Sequence, residues 1–248
     1  MWQGLIFCAI VCGLVPHHVQ ASPRLPDEAT LLAEIFPSGC HFSGQFSQQK
    51  TIQGVPVPLT STGDFYHSCD LGLIWHTQTP FTEAILYVNS SNNFKADANG
   101  ALAPLTGTTR YIMSNIFVRL LKGDTSYFTD EFAISADMQS GTVTLRPESE
   151  YIRKGLDSII VNKTTDQDTG VSLYIEVLDA TGQRTDVMIS AVEQYNFNGK
   201  RAAYEQCEAL YSDTSWCQVL RSPSRYWPVI VTDEKSAVAA YFYSGSYH

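Results

Sequence analysis

The side chains able to move protons or hold metals are few and scattered. Beyond residue 21 the imidazoles are His41, His67, His76 and His248. His76 follows Trp75 inside an extended stretch and His248 is terminal, so neither is placed as a general base. Cys40-His41 and His67-Ser68-Cys69 offer ligand types that suit zinc. Adjacent residues of a strand point to opposite faces, however, so Cys40 and His41 do not converge on one ion, and no metal site is expected. Asp130 and Glu131, adjacent on what reads as a strand, diverge for the same reason. The chain has no nucleophile elbow, metalloprotease helix, Gly-rich phosphate loop or CxxC pair. Asn89-Ser90-Ser91 and Asn162-Lys163-Thr164 match the glycosylation pattern, which matters only in a eukaryotic secretory pathway. No catalytic residue and no cofactor is expected.

Cysteine has a different use. Cys8 and Cys12 lie in an N-terminal apolar run, leaving Cys40, Cys69, Cys207 and Cys217, an even set consistent with an oxidising compartment. Four cysteines permit three pairings. The elements around them decide: an extended run Phe42 to Ile52 and a second over Gly63 to Thr77 flank Pro56 and Pro58, which cannot donate to a ladder and belong in the connection. Folding this hairpin about residues 54 to 55 sets Cys40 opposite Cys69, and Cys207 with Cys217 follows by default.

With 248 residues, 44% hydrophobic and 17% charged, the chain can bury a sizeable core. Its formal net charge of −9 argues against nucleic acid or an anionic membrane surface as a partner. Residues 1–21 read as a cleaved signal peptide: Leu5 to Val15 is apolar and Val19-Gln20-Ala21 presents small residues before Ser22. The leader lacks Lys or Arg in Trp2-Gln3-Gly4. Cleavage is favoured over an uncleaved anchor, and over a lipoprotein, whose lipobox Ala9-Ile10-Val11-Cys12 does not supply.

Ala29, Leu31, Leu32, Ile35 and Phe36 recur at helical spacing, with Pro37 as a stop. Glu83 to Asn89 is a strand with apolar residues on both faces, which predicts a sheet covered on both sides or lining something apolar. Asn89 to Gly107 reads as loop. Asn115 to Lys122 reads as a second helix, capped by Ser114 and stopped by Gly123. Strands are predicted over Phe128 to Ser135, Gly141 to Arg146, Leu156 to Lys163, Val171 to Leu178 and Thr185 to Glu193, with Asp179-Ala180-Thr181-Gly182 as a hairpin turn. The tail offers a helix over Lys200 to Leu210, a strand over Tyr226 to Thr232 and an apolar run over Ser236 to Tyr243, taken as extra edge strands or a flap. The fold class is mainly β with a few helices (α+β): a curved antiparallel half-barrel with helices on its concave side.

Phe46-Ser47-Gln48-Gln49-Lys50, Gly63-Asp64-Phe65, Trp75 twelve positions after that Gly, and Pro80 occur in order, followed by Phe117-Val118-Arg119-Leu120-Leu121, Val143-Thr144-Leu145-Arg146-Pro147 and Ser190-Ala191-Val192-Glu193-Gln194. Over about residues 28 to 198 this resembles the LolA family of periplasmic outer-membrane lipoprotein carriers. The resemblance implies a carrier-like domain over 22–198, with 199–248 as an extension packed on it. It makes the two helices a lid over a lipid-binding cavity walled by Phe46, Phe65, Leu73, Trp75, Ile85, Tyr87, Phe117, Leu121, Phe132 and Leu145. It also implies an acylated lipoprotein or lipid as cargo, an inner-membrane donor, an outer-membrane acceptor and a monomeric carrier in the periplasm. One position departs from the pattern. Six residues before the strand Trp, where the best-studied carriers place an Arg that latches the lid, stands Cys69.

The expected function is therefore a non-enzymatic carrier that shields acyl chains on the way to the outer membrane. The alternatives are a secreted structural or protein-binding β domain whose core is filled by its own side chains and, less favoured, a lipid-processing enzyme with an acid-base pair hidden by the fold.

Overall fold

The computed structural model describes residues 28–35, 39–89, 92–106, 116–137, 139–166 and 170–226. The leader, the lead-in before Glu28, the Ser114 cap, His248 and nearly all of the tail strands lie outside them. Among the described residues eleven antiparallel strands make one curved, unclosed sheet. The first run is β1 (His41–Thr51), β2 (Leu59–Ser68), β3 (Gly72–Thr79), β4 (Glu83–Tyr87), β5 (Asn93–Ala96) and β6 (Leu102–Pro104). The second is β7 (Phe132–Asp137), β8 (Thr142–Pro147), β9 (Leu156–Asp166), β10 (Gly170–Asp179) and β11 (Arg184–Gln194). The two meanders join where β1 pairs with β11, which leaves β6 and β7 at the edges.

Helix α1 (Glu28–Ile35), α2 (Val118–Leu121, entered through a π-type turn at 116–117) and α3 (Thr125–Glu131) lie on the concave side. The short α4 (Glu150–Arg153) joins β8 to β9. Leu32, Ile35, Ile116, Phe117, Leu120, Leu121 and Phe128 pack into one cluster with the inward rows of the strands. A second cluster covers the opposite face. There α5 (Lys200–Tyr211) and α6 (Trp216–Arg221) bury Ala203, Tyr211, Trp216, Val219 and Leu220 against Tyr66, Ile74, Leu86 and Phe94. The sheet is thus covered on both faces around β2–β5, which accounts for the apolar run Ala84 to Tyr87 in β4.

Several local expectations are corrected. Gly63 to Thr77 is two strands, because the chain reverses at 69–71, where Leu71 N–H donates to Ser68 O (3.3 Å) and Asp70 N–H to Ser68 Oγ (3.1 Å). Apolar residues on both sides of the turn hide it from pattern reading. Part of the loop over Asn89 to Gly107 forms the short strands β5 and β6, with Asp97 Oδ1 accepting from Asn99 and Ala101 N–H to close their turn. Residues 128–131 are helical: Asp124 caps α3 by accepting from Tyr127 N–H (3.3 Å), so Asp130 and Glu131 sit on a helix instead of a strand. The tail helix at residue 200 forms as expected, and Cys207–Cys217 joins it to α6 on the convex face.

Gly63 has a role that its spacing alone does not reveal. A Cβ there would sit 1.9 Å from His76 O and 2.9 Å from the Phe46 ring. Only glycine lets β2 and β3 approach while Phe46 crosses above them.

A cleft at one end of the half-barrel

The register arranges the concave face in rows. Phe42, His67, Leu73 and Tyr87 are direct cross-strand neighbours at the end near the β2–β3 turn. The next row carries Gly44, Phe65, Trp75 and Ile85, and the next Ile189, Phe46, Gly63 and Thr77. Beyond these the face turns polar: Val187, Gln48 and Ser61, then Thr185, Lys50 and Leu59. Trp75 is the hinge between the two regimes. Its ring stacks on Phe46 (centroids 3.9 Å apart) and on Phe65 (5.7 Å), and Phe117 from the helical layer meets it edge-on at 5.5 Å.

Where the helices stop covering the sheet, a cleft of 640 Å³ opens. Trp75, Ile85, Phe117 and Val177 form its apolar part, and Gln48, Lys50, Ser61, Thr77, Glu83 and Thr185 its polar walls. Leu59 and Phe81, 55% and 78% exposed, stand on the rim beside Pro58 and Pro80. Large apolar side chains left in water around an apolar opening mark a place where something docks or enters.

The ten residues expected in the cavity wall all belong to one buried cluster. Trp75, Ile85 and Phe117 line the open cleft, while Phe46 and Phe65 lie immediately behind through the Trp75 stack. Leu73 and Tyr87 occupy the innermost row. Leu121, Phe132 and Leu145 pack where the helices meet the other half of the sheet. The sequence reading missed the polar walls. Their signal is in β1, whose inward positions change from Phe42 and Phe46 to the half-buried Gln48 and Lys50 within one strand.

The helical layer holds to the sheet chiefly by apolar contact. Lys163 Nζ donates to the carbonyl of Glu34 in α1 (2.8 Å), and Arg119 pairs with Asp124 (2.7 Å) while lying over the Tyr127 ring at 4.0 Å. Cys69 bonds to Cys40, and Cys207 to Cys217. The first link joins the start of β1 to the end of β2, so Cys69 forms a tie within the sheet. The same bond consumes both thiols of the alternative zinc set. His41 and His67 then lie on opposite faces, His41 bonded to Ser68 Oγ at 3.0 Å and His67 beneath the helices. Among the described residues both ring nitrogens of His67 lack a hydrogen-bond partner, and burial, followed by the charges of Lys122 and His41, lowers its pKa to about 3.

A His-Asp pair does occur on the convex face, with His76 Nδ1 3.3 Å from Asp64. Asp64 also accepts from Tyr211 Oη (2.6 Å) and Gln78 Nε2 (2.6 Å), and Trp216 meets the imidazole edge-on at 4.9 Å. These contacts fasten α5 and α6 to the sheet, and no serine or cysteine nucleophile is among them.

A family model described as outer membrane lipoprotein carrier protein LolA matches residues 40–201. No curated protein matches the chain. Among solved structures, a DUF1329 family protein from Desulfovibrio piger ATCC 29098 is similar at 10% identity and a TM-score of 0.41, over 71% of this chain and 94% of that one. A LolA superfamily protein from Nitrosomonas europaea is similar at 11% identity and a TM-score of 0.40, over 69% of this chain and 93% of that one. With the family model spanning the sheet from the start of β1 to the end of β11, the chain belongs to the LolA family.

Proposed function

We propose that the protein is a non-enzymatic periplasmic carrier that takes up the acyl chains of a lipoprotein or lipid and delivers it towards the outer membrane. The observation that carries this reading is the cleft beside Trp75 and Phe117, where the apolar interior of a LolA-family half-barrel reaches solvent at the border of its helical layer. Each acyl methylene moved from water into such a site contributes about 0.8 kcal/mol, so even partial insertion holds a chain firmly. A larger cargo displaces the helices, whose apolar side chains and the guest compete for the same rows of the sheet. An inner-membrane donor and an outer-membrane acceptor are the partners this role requires, with the carrier acting as a monomer.

The test is mass spectrometry of protein isolated from a periplasmic fraction without detergent. Acyl chains in stoichiometric amount are expected. Folded protein that carries none, and takes up none when offered vesicles, would favour the second reading, a structural or protein-binding β domain. That reading draws on the full burial of Leu73, Leu145 and Phe65.

A further inference from the structure

We propose that, with the helices in place, the cleft is a subsite for a single-chain amphiphile bearing an anionic oxygen head. The head is held by Lys50, and the chain lies on Trp75, Ile85 and Phe117. The inference rests on the carrier reading and adds to it the charge of the head group and the number of chains.

Lys50 is the first ground. It sits on an inward position of β1, half-buried in the cleft wall, in a chain whose net charge is −9. Its ammonium forms no hydrogen bond or ion pair among the described residues. The acids nearby are already engaged. Glu83, beside Thr77 in the same row of the sheet, pairs with Lys95 at 2.5 Å. Asp179 feels the charge of Lys50, but its Oδ1 accepts from the N–H groups of Thr181 and Gln183 (each 2.9 Å) and from Thr181 Oγ1 (2.6 Å). A cation narrowed into a cleft, with no hydrogen bond or ion pair among the described residues, is set to take an anionic oxygen from a ligand.

The lining is the second ground. Gln48, Ser61 and Thr185 lie in the row of Lys50 or the next one, Thr77 stands two rows further in, and their side chains make no hydrogen bond among the described residues. Unused donors beside a charge suit a carboxylate or phosphate, each of which has several lone pairs to fill. Three rows in from Lys50, past Thr77, the wall becomes Trp75 and Ile85, with Phe117 against the Trp75 ring. The change from polar to apolar along a single face is the shape of an amphiphile.

Volume is the third ground. A methylene takes about the space of a water molecule in the liquid, roughly 30 Å³. A cleft of 640 Å³ therefore accommodates one chain of ordinary length with its head. A three-chain cargo requires the helices to leave, whereas a one-chain ligand does not.

The experiment measures quenching or shift of tryptophan fluorescence with four probes of equal chain length, each below its micelle concentration: palmitate, 1-palmitoyl lysophosphatidic acid, 1-hexadecanol and hexadecyltrimethylammonium. Palmitate and the lysophosphatidic acid are expected to bind at least about tenfold tighter than the neutral and cationic probes. Their relative order assigns carboxylate or phosphate as the head. Lys50→Gln should cut this preference to about threefold or less, and Lys50→Glu should reverse it. Both sit at a half-exposed strand position and are checked for folding by their unfolding midpoints. Equal binding of all four probes, or a preference that survives Lys50→Gln, overturns the head-group assignment and leaves the carrier reading standing. Failure of every probe to bind overturns both.

Discussion

Tyr211 Oη donates to Asp64 Oδ1 at 2.6 Å, joining helix α5 to strand β2 across 147 positions of sequence. Burial and the Asp64 charge together hold the phenol well above its ordinary pKa, so it stays a donor at any physiological pH. With Tyr66 Oη donating to Ala203 O at 2.8 Å, this bond fixes the C-terminal helices on the convex face. Tyr211→Phe should cost about 1–2 kcal/mol, measured by denaturant unfolding, because it leaves a carboxylate oxygen short of a donor. Uptake of a probe into the cleft on the other face should not change. A variant as stable as the native chain would remove the tie from the account.

His67 makes stability fall on acidification. In the unfolded chain its imidazole takes a proton near pH 6.5, whereas in the folded one it does not until about pH 3. Between those values the unfolded state binds more protons, so folding weakens as pH drops, with a slope approaching about 1.4 kcal/mol per pH unit from this group. Unfolding free energies at pH 7.5, 6, 5 and 4.5 check it, with His67→Leu as the comparison. The variant should show the shallower slope, and parallel curves would contradict the burial of a neutral imidazole.

Phe117 closes the inner wall of the cleft over Trp75. Truncation in Phe117→Ala should destabilise the protein by about 3 kcal/mol while enlarging the opening. Uptake of N-phenylnaphthylamine, followed by its fluorescence, should rise several-fold although the protein is less stable. Lower uptake in a folded variant would mean that Phe117 supports the site more than it gates it.

The two disulfides differ in the loops they close, with sequence separations of 29 for Cys40–Cys69 and 10 for Cys207–Cys217. Chain-entropy reasoning gives about 3–4 kcal/mol for the first and about 2–3 kcal/mol for the second. Serine double replacements of each pair, compared by urea unfolding, should reproduce that order. Because Cys40–Cys69 joins two strands, its removal should leave probe uptake near the native level once both proteins are folded. A large gain in uptake would assign it a latch-like role.

Much of the half-barrel was legible in the residues. A hairpin folded about residues 54 to 55 sets Cys40 against Cys69, and the observed register pairs His41 with Ser68 and Phe46 with Gly63, in line with that centre. Alternation over β8 to β11 also located those strands, since one inward face of each is buried and the period of two leaves a clear trace. The turn at 69–71, the capped helix at Thr125–Glu131 and the short strands β5 and β6 left a weaker one, because turn and cap signals sat inside runs already apolar or polar on both sides. The sequence by itself determined the strand faces, the disulfide partners and the family pattern, all of which depend on neighbours along the chain or across one hairpin. Tertiary structure alone decided that α5 and α6 cover the convex face, that His67 is buried with no hydrogen-bond partner among the described residues, and that the concave face opens at Trp75 between an apolar core and a polar wall holding Lys50. Those outcomes depend on which residues of distant strands share a row and on where the helices stop, and no local periodicity carries that information.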